Sequence, residues 1–248
     1  MVSAANWLLP AALLLSTGAQ AFDCQRAASP DERLICAEPT LIALDKELSD
    51  LYHATLSASP QPALLKAQQR AWLAGERARC RDVPCLSATY RTRLQTLHSA
   101  WRTFSDPALG IAFPFPVSRP PARGCRDSKS CIALGDGHEP ELSAEVFDGA
   151  WENIATQQAV FERTAQGWVA HGRNGIHPVQ TLHGSGWQGL LAVVDCGVSD
   201  SQGFHGAGGE CLWAVAGNGR RAVVFDSQGL HGNDDASRYS IRHLKFLP

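Results

Sequence analysis

The sequence predicts an α+β protein: an all-helical, disulfide-stapled N-terminal unit followed by a mainly antiparallel, β-rich unit. Three observations predict it. Residues 22–104 contain one glycine, Gly75, whereas glycines crowd the remainder. Apolar residues recur at helical spacing in the first part and in short runs bounded by turn residues in the second. The eight cysteines divide four and four across residue 105, so each half can be stapled separately.

Residues 1–21 carry no Asp, Glu, Lys or Arg, and an apolar stretch from Trp7 to Leu15 is interrupted only by Pro10. Ala19-Gln20-Ala21 then offers the small-x-small pattern of a signal-peptide cut, with Phe22 as the expected mature N-terminus. The stretch is too short for a membrane span, and no later segment reaches the ~20 apolar residues that one needs. A soluble periplasmic or secreted product is expected, without stable membrane insertion. Cys24 stands three residues beyond the cut, which argues against a lipid anchor. An even cysteine count in an exported chain implies a disulfide framework, whose connectivity spacing alone leaves open. A formal charge of −2 argues against nucleic-acid partners, which favour a basic surface.

Within residues 22–104, Ser29-Pro30-Asp31-Glu32 reads as a capping box with proline at the first helical position. Pro39 opens a second helix with Leu41, Leu44, Leu48, Leu51 and Tyr52 on one face. Ser59-Pro60-Gln61-Pro62 breaks it, and a third helix with Leu65, Ala71 and Trp72 inward runs to Cys80. After Asp82 and Pro84, a fourth helix aligns Leu86, Tyr90, Leu94, Leu97 and Trp101. Charge is lopsided. Residues 22–60 hold seven acids against three bases, and residues 61–104 hold eight bases against two acids. Attraction between antiparallel neighbours explains part of this; a partner-binding face is the sharper alternative.

A proline-rich join is expected at 105–124, from Pro107, Pro114, Pro116, Pro120 and Pro121, and a β-rich domain over 125–248. Residues 160–163 and 168–171 read as strands around a turn with Gly167. Residues 188–195 read as a buried strand. Residues 211–216 and 220–226 flank Gly217-Asn218-Gly219, whose Asn-Gly step signals a hairpin. Residues 151–158 and 234–239 read as short helices, and residues 240–246 as a final strand.

Residues 22–97 resemble the N-terminal domain of the LprI-type lysozyme-inhibitor family. The matching features are Phe22-Asp23-Cys24, Glu32 with Ile35-Cys36, Leu44-Asp45 with Leu48 and Tyr52, Gln69, Trp72-Leu73, Arg77, Cys80, Cys85-Leu86, Tyr90 and Arg93. The resemblance implies an exported, helical, disulfide-bonded domain, with lysozyme inhibition in some members. Cys24 with Cys36 and Cys80 with Cys85 are the preferred pairs, because each closes a local loop; crossed pairings stay open. Tyr52, Trp72 and Tyr90 are expected in the core, and Asp45 in an ion pair with Arg77 or Arg93. Contact residues for a partner are expected in loops such as 57–61 or 81–84. In the second domain, residues 110–116 and 241–246 are similar to short stretches of the α/β sandwich shared by the photosystem-II protein PsbP and a Ran-binding protein.

Catalytic patterns are weak. Seven of the nine histidines lie in the second domain: His138, His171, His177, His183, His205, His231 and His243. Cys196, His205 and Cys211 match no familiar zinc spacing, and an oxidising compartment favours a Cys196–Cys211 disulfide; Cys125 and Cys131 are expected in the same framework with no partner assigned. Ser185 lacks the spacing of a nucleophile elbow. Residues 203–209 are phosphate-loop-like in glycine content alone and read as a loop closed by Cys196 and Cys211. Glu139, Glu141, Glu145 and Glu152 supply carboxylates without defined geometry. Trp151, Trp168, Trp187 and Trp213 read as sheet core, or as stacking platforms for wall sugars. The chain therefore reads as a binding protein without cofactor or metal, not an enzyme. Its expected partner is a lysozyme-like muramidase or another envelope protein, with Arg79, Arg81 or Arg91 as the probe into an acidic cleft. A cell-wall glycan module and a periplasmic hydrolase are the alternatives.

Overall fold

The computed structural model describes residues 23–125, 128–135, 140–200, 203–227 and 233–248, with backbone alone at 198–200 and 203–208. The expected signal segment, His138, His231 and Glu139, and the side chain of His205, lie outside what is described.

The N-terminal part is helical: a 3-10 turn at Cys24–Arg26, then α1 (Pro30–Ala37), α2 (Pro39–Ser57), α3 (Pro62–Trp72) continued by a π-helical turn at Leu73–Arg77, and α4 (Val83–His98). Local chemistry sets these boundaries. The Ser29 hydroxyl accepts from Glu32 N, and the Glu32 carboxylate accepts from Ser29 N, so the capping box is complete. Those backbone donors hold the Glu32 carboxyl below its ordinary value. Pro39 and Pro62 start α2 and α3 where a missing N–H costs nothing. Asp82 caps α4 by accepting from Cys85 N at 2.8 Å.

The remainder holds three antiparallel sheets. The main one has seven strands in the order β3 (Pro121–Cys125), β4 (Ser128–Leu134), β5 (Leu142–Asp148), β12 (Arg221–Asp226), β11 (Gly203–Gly217), β10 (Trp187–Asp200), β9 (Gln180–Gly184). A second consists of β1 (Trp101–Asp106), β2 (Ile111–Pro116) and β13 (Lys245–Phe246). The third consists of β6 (Phe161–Thr164), β7 (Gly167–Gly172) and β8 (Gly175–His177). Helix α5 (Trp151–Gln158) follows β5, and α6 (Asp235–Arg242) precedes β13.

Both faces of the main sheet are covered. Leu190, Ala192 and Val194 of β10 join Ile154 of α5 and Phe161 of β6 in one core. Leu191 joins Ile111 and Phe113 of β2, Phe225 of β12 and Ile241 of α6 in the other. This double burial is why residues 188–195 read as a nearly unbroken apolar run.

Three expectations on secondary structure are corrected. Much of the proline-rich stretch from 105 to 124 is strand. Pro114 and Pro116 sit on β2 beyond Ala112, where β13 no longer pairs and that side of the strand is an open edge, so a lost donor is tolerated. Residues 203–209 form the distal arm of β11, paired with β10 through Asp200↔Gly203 and Val198↔His205, not a loop. Residues 240–242 continue α6, and only Lys245–Phe246 is strand. Asp234 accepts from Ser237 N at 2.8 Å and nucleates that helix; the apolar positions Ile241 and Leu244 fit helical spacing as well as alternation.

The helical and β-rich parts share side chains. Trp101 starts β1 yet buries its indole among the helices, donating to Thr55 Oγ1 at 2.9 Å. Ala236 and Tyr239 of α6 enter the same helical core, while Ile241 and Leu244 enter the sheet core. The Ser57 hydroxyl accepts from Ala236 N at 3.0 Å, and Ser118 donates to Ala58 O at 2.8 Å.

Candidate functional site

The residues singled out in the helical part fall into an interior set and a surface set. Inside, the Tyr90 hydroxyl donates to Asp45 Oδ1 at 2.7 Å, and Trp72 meets the Tyr90 ring edge-on at 5.3 Å. Arg93, 8 % exposed, donates to Gln69 Oε1 at 3.0 Å. Burial pushes its guanidinium below the ordinary value, against the pull of Glu76. Arg77 Nε lies 3.0 Å from Asp31, which is 2 % exposed, and its other end reaches Glu32 at 3.6 Å. Among the described residues, the expected Asp45 ion pair with Arg77 or Arg93 does not form. Tyr90 reaches Asp45 across α2 and α4, while Arg77, at the end of the π turn, is drawn to the carboxylates of α1. Tyr52 is half-buried beside this core.

Burial raises the Asp45 carboxyl above its ordinary value, opposed by the Tyr90 hydrogen bond. The same burial, with Asp45 adjacent, holds the Tyr90 hydroxyl far above its usual range. A carboxyl with a raised folded-state pKa binds its proton more tightly folded than unfolded, so its contribution worsens as pH rises through that window. Asp45→Asn keeps the acceptor for Tyr90 and removes the titration. We therefore expect the variant to gain stability over the wild type as pH goes from about 4 to 7, a difference that denaturant midpoints at several pH values would detect. A difference that shrinks with rising pH would contradict this assignment.

The surface set lies at the corner between α3 and α4. Cys80, buried, and Cys85, exposed, close a disulfide with Cα atoms 5.5 Å apart. Arg81 folds back so that one guanidinium nitrogen donates to Ala78 O at 2.6 Å and Cys80 O at 3.0 Å. Together with the Asp82 cap, these bonds hold an exposed cationic turn in one conformation. Arg79 and Arg81 are both exposed there, and neither enters an ion pair among the described residues. Arg91 is also exposed, but at six residues beyond Cys85 it lies about 240° around α4 from the disulfide. The corner thus assembles two of the three arginines. The part that spacing did not reveal is the Arg81 clamp, because bonds from a side chain to nearby carbonyls leave no periodic signal.

In the second part, the described histidines are dispersed. His171 pairs with Glu162, His177 with Asp195, and His243 approaches Tyr239 O at 2.9 Å; His183 is exposed. Cys196 is bonded to Cys211, Cys125 to Cys131 and Cys24 to Cys36. Among the described residues, no group of three or more His, Cys, Asp or Glu stands ready for a metal. Ser185 is exposed on the turn between β9 and β10. Trp187 is 4 % exposed and donates to Leu244 O at 2.8 Å, so it is a core residue. Trp151 and Trp168 pack together at 5.7 Å, and Trp213 is half-buried. An open hollow of about 450 Å³ beside Trp151 is edged by Glu152, His183, Gln188 and Asn218.

With this geometry in hand, similarity to known families separates the two parts. Residues 24–97 match the lysozyme inhibitor LprI family. That span runs from the first cysteine to the end of α4 and includes the disulfide corner. Proteins named Lipoprotein LprI from Mycobacterium bovis and Mycobacterium tuberculosis are 32% identical to this chain over 102 residues, which is 40% of this chain and 49% of each relative. The chain therefore spans about half the length of the curated relatives it matches. Among solved structures, the solution structure of cyanobacterial PsbP (CyanoP) from Synechocystis covers 59% of this chain and 92% of its own, at 10% identity and a TM-score of 0.36. A likeness that low carries no argument. The likeness to proteins named as lipoproteins, together with the disulfides, suggests a location outside the reducing cytoplasm. No described helix is long and apolar enough to cross a membrane.

Proposed function

We propose that this protein is an exported, non-enzymatic inhibitor of a lysozyme-like muramidase, acting through the Arg79–Arg81 corner of its LprI domain. The observation that carries the reading is a disulfide-clamped turn presenting two exposed arginines without ion-pair partners among the described residues, within a segment matching a lysozyme-inhibitor family. Muramidases cleave between two carboxyl groups. A rigid cationic turn complements such a cleft, and pre-organisation lowers the entropy lost on binding. Export with a cut near Ala21 would deliver the chain to the envelope, where it meets that class of enzyme.

The test is protection of a cell-wall suspension against a panel of lysozymes by the oxidised, folded chain. Dose-dependent protection is expected. A charge-assisted contact is worth about 1.5–3 kcal/mol, so replacing both arginines by glutamate should weaken inhibition at least ~100-fold, while Arg91→Glu keeps most of it. Folded wild-type protein that protects against no lysozyme would overturn the reading. Equal loss from Arg91→Glu would move the contact away from the corner.

The hollow beside Trp151 favours a second reading, as a wall-glycan module, because an indole edged by amides and a carboxylate suits a sugar. Trp151→Ala, not Trp187→Ala, is the variant that addresses it, since Trp187 is buried.

A further inference from the structure

At the end of the main sheet where the β9–β10 and β11–β12 hairpins turn, three residues stand in one cross-strand row. His183 of β9 pairs in register with Gln188 of β10, and Gln188 with Gly217 of β11. Partners in register share a face. Gln188 stands two residues before Leu190, which shares a core with Ile154 of α5, so that face is the one α5 covers. Gly217 brings no side chain to it, and a Cβ there would fall 2.6 Å from Trp151 Cβ. The bare position therefore lets the first turn of α5 settle on the sheet beside Gln188. What remains is the hollow of about 450 Å³, with exposed His183 and Gln188 on its floor, Trp151 and Glu152 as a wall, and Asn218 at its lip.

The polar groups around this hollow are uncommitted. His171, His177 and His243 each have a partner, whereas the His183 side chain has none among the described residues. The Gln188 amide and the Glu152 carboxylate likewise make no hydrogen bond or ion pair there. Asn218 Oδ1 accepts from Arg220 N and Arg221 N, both at 3.0 Å, which leaves its amide nitrogen as a free donor. Among the described residues no Lys or Arg lines the hollow, so Glu152 sets its charge. An acid in the first turn of α5 also suits the helix dipole, but that local role gives no selectivity between ligands.

We propose that this hollow selects an amino sugar with a free, protonated amine over its N-acetylated counterpart, the ammonium resting against Glu152 beside Trp151. The inference rests on the wall-glycan reading and specifies the sugar. A carboxylate and an indole are the two groups that favour an ammonium, one by a charge-assisted hydrogen bond and the other by its π face. Amides and imidazole both donate and accept, as sugar hydroxyls do. The volume lies within the ~300–1,000 Å³ usual for small-molecule sites. A sugar that carries a carboxylate would instead meet the like charge of Glu152.

The probes are the β-1,4-linked dimers of glucosamine and of N-acetylglucosamine, titrated calorimetrically into the full folded chain. A mildly acidic buffer of low ionic strength keeps the amines protonated and the charges unscreened. The glucosamine dimer should bind saturably and at least ~5-fold more tightly than the N-acetylated dimer. Glu152→Gln should remove that preference and leave binding of the N-acetylated dimer unchanged. If Glu152→Gln melts lower, His183→Lys, which places a cation on the exposed floor, should remove the preference by repulsion. Binding of neither dimer by the wild type would overturn this inference together with the wall-glycan reading. Equal binding of the two, tighter binding of the N-acetylated dimer, or a preference that survives both substitutions would overturn this inference alone.

Discussion

Replacing Trp101 by alanine is expected to destabilise the protein by about 3–5 kcal/mol, the usual cost of deleting a buried indole. Trp101 is 5 % exposed and stands in the helical core although its backbone belongs to β1. Its N–H satisfies the hydroxyl of Thr55, which is itself buried and donates to Leu51 O at 2.6 Å. Its ring packs on Tyr239 of α6. The deletion therefore leaves a cavity where α2, α4 and α6 meet and removes the N–H that Thr55 accepts. Urea denaturation followed by far-UV circular dichroism and by tryptophan fluorescence measures the effect. The wild type should unfold with both probes coincident. The variant should show a much lower midpoint, or separated transitions as helices and sheets lose their shared core. A loss below about 1 kcal/mol, with transitions still coincident, would mean that the α6 contacts and the Ser118–Ala58 bond join the two parts without Trp101.

Arg77→Ala should cost a similar amount, about 3–5 kcal/mol, for a different reason. Asp31 is 2 % exposed, and Arg77 is the cation beside it at 3.0 Å, off the alignment of a good hydrogen bond. Removing the guanidinium leaves a buried carboxylate without its countercharge at the start of α1. It also takes from Asp45 a positive neighbour that favours its charged form. The cost should be mostly an unpaired-charge penalty rather than the net worth of the pair. The informative comparison is thus the Asp31→Leu/Arg77→Leu double variant, in which neither charge remains. Its stability should return to within about 1–2 kcal/mol of the wild type, as for other buried pairs replaced together. If the double variant is as unstable as Arg77→Ala, the penalty comes from lost packing of the arginine stem instead.

How much was legible in the sequence follows from how local each determinant is. The capping box at Ser29, the prolines opening α2 and α3, and the Asp82 cap act over three or four residues, so they can be read directly. The same holds for α5 and for the hairpin at Asn218-Gly219, whereas short loops only favoured the local disulfides over crossed pairings. The boundary of α4 was less legible. Leu86, Tyr90, Leu94, Leu97 and Trp101 keep helical spacing, yet the helix stops at His98 and Trp101 reaches the same core from a strand. Apolar spacing reports which side chains are buried together, not which backbone carries them. The partner of Asp45 was missed for a related reason. A phenol and a guanidinium both satisfy a carboxylate, and only the packing of α2 against α4 brings Tyr90 to it.

The sequence by itself determined the α+β class, the helical segment similar to the LprI family and the capped helix starts, and it favoured the short disulfide loops, because each rests on neighbours in the chain. Only the tertiary structure decided three further matters. One is that β11 extends into the glycine-rich arm of residues 203–209, whose pairing with β10 supplies order that composition does not. A second is that Arg79 and Arg81 share a rigid corner while Arg91 stands apart. The third is that α6 serves two cores, with Ala236 bonded to Ser57 across 179 residues of chain. Contacts at such separations depend on how the apolar faces of whole elements fit together, and that fit is a property of the packed assembly, which no local pattern of residues records.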